Sequence, residues 1–294
     1  MTRLILSKPP NIKQPSGRPA RSAATDTHFA KLRRAEREAR ERRLGPLKSE
    51  DGVRDGVIRL YGQHAVEAAL KNPARAIKRL VLTENAERRL VEALGSITHT
   101  IDRAQPRDLD KLLGEDAVHQ GAMLETEALA EPRFDDLIAN ANGRPLIVLD
   151  QVTDPHNVGA ILRSCAVFGA AGLIMTRRHS PPLNGVLAKA ASGALELVPV
   201  ALVQNLSRAL DELKSTGFTV AGLDGNAEIA VEDLDWSKPM ALVMGAEGKG
   251  LRELPAKTCH ILARITTDGP VSSLNVSNAT AVVLHVAARA RRTQ

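Results

Sequence analysis

From Gly143 to the C-terminus, short apolar runs alternate with stretches that carry the period of an amphipathic helix. The runs Pro145–Leu149, Gly172–Met175, Glu196–Val200, Phe218–Leu223, Met240–Met244 and Ile261–Ile265 read as strands. Between them Val158–Phe168, Gly185–Ala191 and Asn205–Ser215 read as helices, and Asn275–Ala290 as a final one. Such alternation predicts an α/β domain whose parallel sheet is covered by helices on both faces. Continuous apolar runs such as PLIVL and MALVM are what doubly covered strands require. In open α/β sheets, ligands gather beyond the carboxyl ends of the strands. The loops that follow these strands are therefore where chemistry is expected.

Ahead of this domain, residues 57–130 read as a smaller α/β domain. Helices are expected at His64–Lys71, Ala86–Leu94 and Arg107–Leu113, and strands at Lys78–Thr83, Ser96–Ile101 and Gly121–Thr126. Residues 131–142 read as a linker, punctuated by Pro132 and by the Asn142-Gly143 turn signal. Residues 1–56 read as a basic disordered tail, with Pro9, Pro10, Pro15 and Pro19 and a charged helix at Phe29–Leu44 that would fold only against a partner. With 2% aromatic residues, the cores must be built from Ala, Val, Leu and Ile.

Charge is unevenly distributed. Residues 1–56 hold 14 of the 40 Lys+Arg and 7 of the 34 Asp+Glu, so the net +6 of the chain belongs to its first segment. A basic arm suits RNA, whose phosphates bind Lys and Arg with release of counterions. The two cysteines, Cys165 and Cys259, are far apart in apolar settings and lack metal-ligand spacing. Two reduced buried thiols are expected, which fits a cytoplasmic protein. Met1–Thr25 lacks a long apolar stretch, so no secretory leader is expected. The run between Asp268 and Arg289 has no Asp, Glu, Lys or Arg, but Ser, Asn and Thr interrupt it. It reads as a helix buried in a core or a subunit interface rather than a membrane span.

Three loops follow strong strands. After Pro145–Leu149 comes DQVTDPHNVGAILRSC, in which Asn157 can cap a helix starting at Val158 and Arg163 lies away from the apolar face. After Met240–Met244 comes GAEGKGL, a glycine-rich turn that lets a ligand approach the backbone closely. It is neither a Walker loop nor a dinucleotide fingerprint, which argues against a nicotinamide dehydrogenase. After Ile261–Ile265 comes TTDGPVSSLNVSNA, in which Ser273 and Asn275 are natural caps for the final helix. Taken singly, each loop is better explained as a helix start or a tight turn than as a site.

Together, NVGAILRS, MGAEGKGL and SSLNVSNA resemble the three motifs of the SpoU (TrmH-type) RNA ribose methyltransferases of the SPOUT superfamily, in the family's order and spacing. LYGQHAVEAAL and HQGAML resemble the N-terminal RNA-binding domain of the bacterial members that methylate a guanosine of 23S rRNA. The resemblance implies S-adenosyl-L-methionine as cofactor, no metal, RNA as partner and a homodimer. It also implies a trefoil knot in the C-terminal SPOUT domain, which topology rules would argue against, and an L30e-like fold for residues 57–130. It places Met244, Gly245, Gly248, Ile265 and Leu274 at the cofactor, and Asn157, Arg163, Glu247, Ser273 and Asn275 at the reaction.

The reaction so implied is methylation of a ribose 2′-hydroxyl. In this family the arginine matching Arg163 has been assigned as the base. Because a guanidinium normally stays protonated, bidentate binding of phosphate and stabilisation of the developing alkoxide is the preferred role here. Asn157 and Asn275 would orient polar groups, and Glu247 would hold loop backbone or a partner-subunit residue. The alternatives are a tRNA 2′-O-methyltransferase and a non-catalytic RNA-binding protein of the same fold.

Overall fold

The computed structural model describes residues 53–54, 57–270 and 274–292, and all of these lie in one compact unit. The tail up to Gly52, the helix expected at Phe29–Leu44, and Ser273 lie outside the described residues.

The first sheet has five strands: β1 (Val53–Arg54), β2 (Val57–Tyr61), β3 (Ile77–Leu82), β4 (Ile101–Arg103) and β5 (Ala122–Glu127), in the order β1-β2-β5-β3-β4. Only the β3–β4 pairing is parallel. Helices α1 (Gln63–Lys71), α2 (Glu84–Leu94) and α3 (Pro106–Leu113) cover it. The sheet begins before the Val57 boundary expected from sequence. The strand expected at Ser96–Ile101 instead forms only from Ile101 onward. Gly95 ends α2 with a positive φ, and the polar residues that follow have no apolar alternation to pair.

The second sheet has seven strands, all parallel: β6 (Leu146–Asp150), β7 (Gly172–Thr176), β8 (Val200–Val203), β9 (Thr219–Leu223), β10 (Ile229–Ala230), β11 (Met240–Gly245) and β12 (Ile261–Arg264). Their order is β10-β12-β9-β11-β6-β7-β8. The central strands β6, β7 and β11 bury essentially every side chain, as their unbroken apolar sequences predict. The strand expected at Glu196–Val200 starts only at Val200, because Ala194–Glu196 closes a 3-10 turn.

Six helices accompany this sheet: α4 (Phe134–Ala139), α5 (Pro155–Phe168), α6 (Gly185–Ala191), α7 (Leu206–Ser215), α8 (Glu253–Thr258) and α9 (Val276–Arg292). Helix α4 lies inside the segment read as a linker. That segment is tied to the sheet, since Glu131 accepts hydrogen bonds from the Arg177 guanidinium (2.7 Å) and the Leu202 N–H (3.1 Å). Helix α9 buries Val276, Thr280, Val283, Leu284 and Ala287 against α5, so the uncharged run contributes to a core. Arg291 reaches back to donate to the Phe168 carbonyl (2.9 Å) at the carboxyl end of α5, where a cation is favoured.

The two sheets share a core. One apolar cluster runs from Leu60, Val66 and Leu124 through Leu187, Ala191 and Leu195 to Val158 and Ile161. Helix α6 lies against β2 so closely that a Cβ at Gly185 would sit 2.2 Å from the Arg59 carbonyl oxygen. Beside this seam, Arg75 and Glu196 form an ion pair (2.8 Å) with side chains only 1% and 3% exposed. Glu196 also accepts from Asn72 Nδ2 (2.7 Å), and Arg75 donates to the Glu127 carbonyl (3.0 Å). These bonds satisfy charges that burial would otherwise penalise heavily.

Candidate active site

The first loop delivers Asn157 from the start of α5. That helix begins at Pro155, earlier than expected, and its cap is Asp154, whose carboxylate accepts from the His156 N–H (3.0 Å). Asn157 is therefore not the cap; it sits within the first turn, and its side chain is available for other work. Its Nδ2 donates to Glu247 Oε1 (3.0 Å), and its Oδ1 accepts from Asn275 Nδ2 (3.0 Å). The Asn275 amide also donates to Glu247 Oε1. Three side chains from three loops thus close a ring of hydrogen bonds.

Asn275 does double duty. Its Oδ1 accepts from the backbone N–H of Ser277 (2.9 Å) and from Ser277 Oγ (2.5 Å), so it caps α9 as expected. With its carbonyl committed to the helix, its NH2 is aimed at Asn157 and Glu247. The rotamers of the ring are consequently set by helix capping rather than left free.

Glu247 is carried by the glycine-rich loop after β11. The loop folds back on itself: the Gly250 N–H donates to the Ala246 carbonyl (2.9 Å), and Gly248 and Gly250 take positive φ values of 72° and 64°. Gly245 lies under the turn, where a Cβ would sit 2.2 Å from the Gly250 carbonyl carbon. Glycine is needed at 245 for space and is suited to 248 and 250 for conformation. The far end is clamped by Asp150, a fully buried carboxylate ending β6. It accepts from the Arg252 backbone N–H (2.9 Å) and from Arg252 Nε (2.7 Å).

Beside the loop lies a cavity of about 450 Å³. Met244, Gly245, Gly248, Ile265 and Leu274 all line it, so the structure brings together every residue expected at a cofactor. Leu223, which ends β9, and Asp224 and Asn226 just beyond it complete the wall, and the sequence reading holds no site expectation for them. The signal for them was available: β9 is a buried strand followed by Asp-Gly-Asn, and every such strand end is a candidate. Asp150 is a further member without a sequence expectation, although a carboxylate ending an apolar strand has to find a buried partner.

Arg163 stands apart from the ring. It lies six residues beyond Asn157 on α5, about 9 Å farther along the axis at roughly 1.5 Å per residue. It is exposed, with no hydrogen-bond partner among the described residues. Neither cysteine reaches the site: Cys165 is buried within α5, and Cys259 is half-buried rather than fully buried, against Gly222. Burial pushes their thiols up to about 12 and about 11, so both are inert at neutral pH. Among the described residues there is no cluster of His, Cys, Asp and Glu that could hold a metal ion.

A methyltransferase of the SpoU type is the class that this sheet and these three loops define, and the chain belongs to the SpoU rRNA methylase family. The family model matches residues 144–285, and the model for the substrate-binding domain of RNA 2′-O ribose methyltransferases matches residues 59–147. The 23S rRNA (guanosine-2′-O-)-methyltransferase RlmB of Pseudomonas syringae pv. tomato is 39% identical over 241 residues, covering 79% of this chain and 96% of that protein. Its counterpart in Photorhabdus laumondii is 43% identical over 239 residues, covering 79% and 98%. The fold is shared with the SpoU methyltransferase AviRb of Streptomyces viridochromogenes, solved in complex with AdoMet, at a TM-score of 0.70 and 23% identity over 87% of this chain and 98% of that one. An AdoMet-bound rRNA methyltransferase from Sinorhizobium meliloti matches at a TM-score of 0.67 and 24% identity, over 80% and 88%.

Proposed function

We propose that this protein transfers a methyl group from S-adenosyl-L-methionine to the ribose 2′-hydroxyl of a guanosine in 23S rRNA. The observation that carries the reading is the meeting of Asn157, Glu247 and Asn275 at the rim of the cavity lined by Met244, Gly245, Ile265 and Leu274. The named activity of relatives matched over nearly their whole length supports the substrate.

The cavity suits the cofactor. Its volume falls in the range of roughly 300–1,000 Å³ common for such ligands. Leu223, Met244, Ile265 and Leu274 offer apolar contact to an adenine ring, and the backbone of the glycine loop offers polar groups at close approach. When bound, the cofactor would supply an electrophilic methyl carbon on a sulfonium, leaving as the neutral thioether S-adenosylhomocysteine, while the 2′-hydroxyl proton would pass to water. The residues have the remaining tasks. The ring of Asn157, Glu247 and Asn275 fixes the rim against which the ribose is positioned. Arg163 binds an RNA phosphate through its guanidinium fork and stabilises the alkoxide as it develops, reaching the reaction from α5 of the same chain or of a second copy. Ser273, matched to the family's polar positions, is assigned to the reaction by resemblance alone.

The finer parts of the reading follow the family. The second domain carries a C-terminal trefoil knot, residues 57–130 are an L30e-like RNA-binding domain, and the basic residues 1–56 add affinity for RNA. The protein works as a homodimer in the cytoplasm. Among the described residues no helix is long and apolar enough to cross a membrane. A tRNA substrate is the second reading, and the 23S rRNA activity named for relatives matched over nearly their whole length is set against it. Two measurements test the proposal: calorimetric titration, in which one S-adenosylmethionine should bind per chain, and label transfer to unmethylated 23S rRNA. A folded protein that binds no S-adenosylmethionine would overturn it.

A further inference from the structure

Three cavities follow one another along the carboxyl edge of the parallel sheet. The cofactor cavity shares Ala246, Glu247, Lys249 and Val276 with a middle cavity of about 360 Å³. The middle cavity meets an outer one of about 720 Å³ at Gln151 and His179, which line both. Gln151 follows β6 and His179 follows β7, so the two stand on neighbouring parallel strands.

Both residues hold left-handed backbone, with φ of 57° at Gln151 and 66° at His179. Few residues other than glycine adopt this conformation, and it collects at functional sites when the surroundings enforce it. Here they do. Asp150 and Val152, on either side of Gln151, are both buried, and Asp150 is held by Arg252. The turn before His179 is tied by Thr176 Oγ1, which donates to the Arg178 carbonyl (2.6 Å). The strained turns present an amide and an imidazole, each with donor and acceptor capacity. Neither side chain has a hydrogen-bond partner among the described residues.

Charge decides what these groups meet. The middle cavity carries the carboxylates of Asp154 and Glu247 against Lys249, a poor place for a phosphate. The outer cavity carries Arg178 beside two ion pairs, Arg252 with Asp150 (2.6 Å) and Lys257 with Glu253 (2.6 Å), and so keeps a net positive charge. An RNA strand crossing this edge would therefore lay its phosphates over the outer cavity and an uncharged base in the middle one.

We infer that Gln151 and His179 read the base of the nucleotide whose ribose is methylated, pairing their side chains with the N1–H, N2–H2 and O6 groups of a guanine. Sequence-specific RNA recognition acts in this way on bases freed from stacking. The inference rests on the methyl-transfer reading and adds specificity determinants at two positions outside the three family motifs, Gln151 on the first loop and His179 on the loop after β7.

The test uses the full-length protein and matched RNA fragments carrying guanosine, inosine or adenosine at the mapped methylation position, with S-adenosylmethionine affinity measured alongside. Gln151→Gly and His179→Gly remove the side chains while suiting the left-handed backbone, so the fold is kept. The wild type should prefer guanosine over adenosine. The glycine variants should lose about tenfold to a hundredfold in kcat/KM on guanosine, the scale of one good base contact, and most of their preference. Their S-adenosylmethionine affinity should be unchanged. His179→Asn, which tolerates the same backbone and keeps a hydrogen-bonding tip, should recover part of the preference. Glycine variants that keep the wild-type preference overturn the inference, whatever their rate. A wild type that methylates none of the RNAs overturns the methyl-transfer reading instead.

Discussion

Glu247 receives hydrogen bonds from two asparagines that lie 90 and 28 residues away in the chain. That ring accounts for why Asn, Glu and Asn follow three separate strands: one carboxylate oxygen organises two amides, and the capping of α9 fixes one of them, Asn275. Arg163 is not part of it, so its loss should leave the ring and the cofactor cavity intact. Arg163→Ala is predicted to abolish methyl transfer, measured with labelled donor, while S-adenosylmethionine binding measured by calorimetry stays near wild type. Near-normal turnover in that variant would remove Arg163 from the chemistry. The thiols make a second prediction at this scale. Burial holds Cys165 up to about 12 and Cys259 up to about 11, above their ordinary value of 9.0. The folded state therefore favours the neutral thiol, and the stability this brings is intact below pH 9 and is lost as pH rises toward the folded values. For Cys165 the loss approaches about 1.4 kcal/mol per pH unit above 9. Urea midpoints measured between pH 8 and pH 11 should fall accordingly, and replacing Cys165 by alanine should flatten that fall.

At the scale of elements, sequence was legible where burial was uniform. Strands β6, β7 and β11 are buried along their length, and their apolar runs located them almost to the residue. Helices with a polar cap were equally clear, as at α7, where Asn205 accepts from the Arg208 N–H (3.1 Å). Legibility failed where tertiary contact decides. Glu196 sits in a stretch that reads as a strand, yet its carboxylate is drawn into the seam between the sheets by Arg75 and Asn72, and the chain turns there instead. Helix α4 was hidden because Pro132 and Asn142-Gly143 mark both ends of a segment short enough to pass for a linker. The ring of Asn157, Glu247 and Asn275 could be assembled only by resemblance, since no local rule brings three loops together. The buried ion pair at the seam is itself testable. Arg75→Ala strands the Glu196 carboxylate out of water and should cost about 3–5 kcal/mol in urea denaturation, whereas the double change Arg75→Met with Glu196→Leu should restore much of it.

For the whole molecule, the distribution of charge separates grip from chemistry. Most of the excess positive charge lies in the first 56 residues, while the half that holds the three loops is close to neutral. Val167 and Val282 leave 68% and 37% of their surface exposed, on the two packed helices α5 and α9, and α5 also carries Arg163. A second copy covering these helices would hide the valines and bring a second Arg163 near the site. Sedimentation should accordingly find a dimer, and an active monomer would contradict the assembly. The central claim concerns the product on RNA. The most direct test is position-resolved mapping of ribose methylation across 23S rRNA in a strain lacking this gene, compared with the same strain carrying it. The account predicts that a single guanosine loses its 2′-O-methyl group in the deletion and regains it on complementation, with tRNA unchanged. Identical ribose-methylation maps in the two strains, or a difference confined to tRNA, would contradict it.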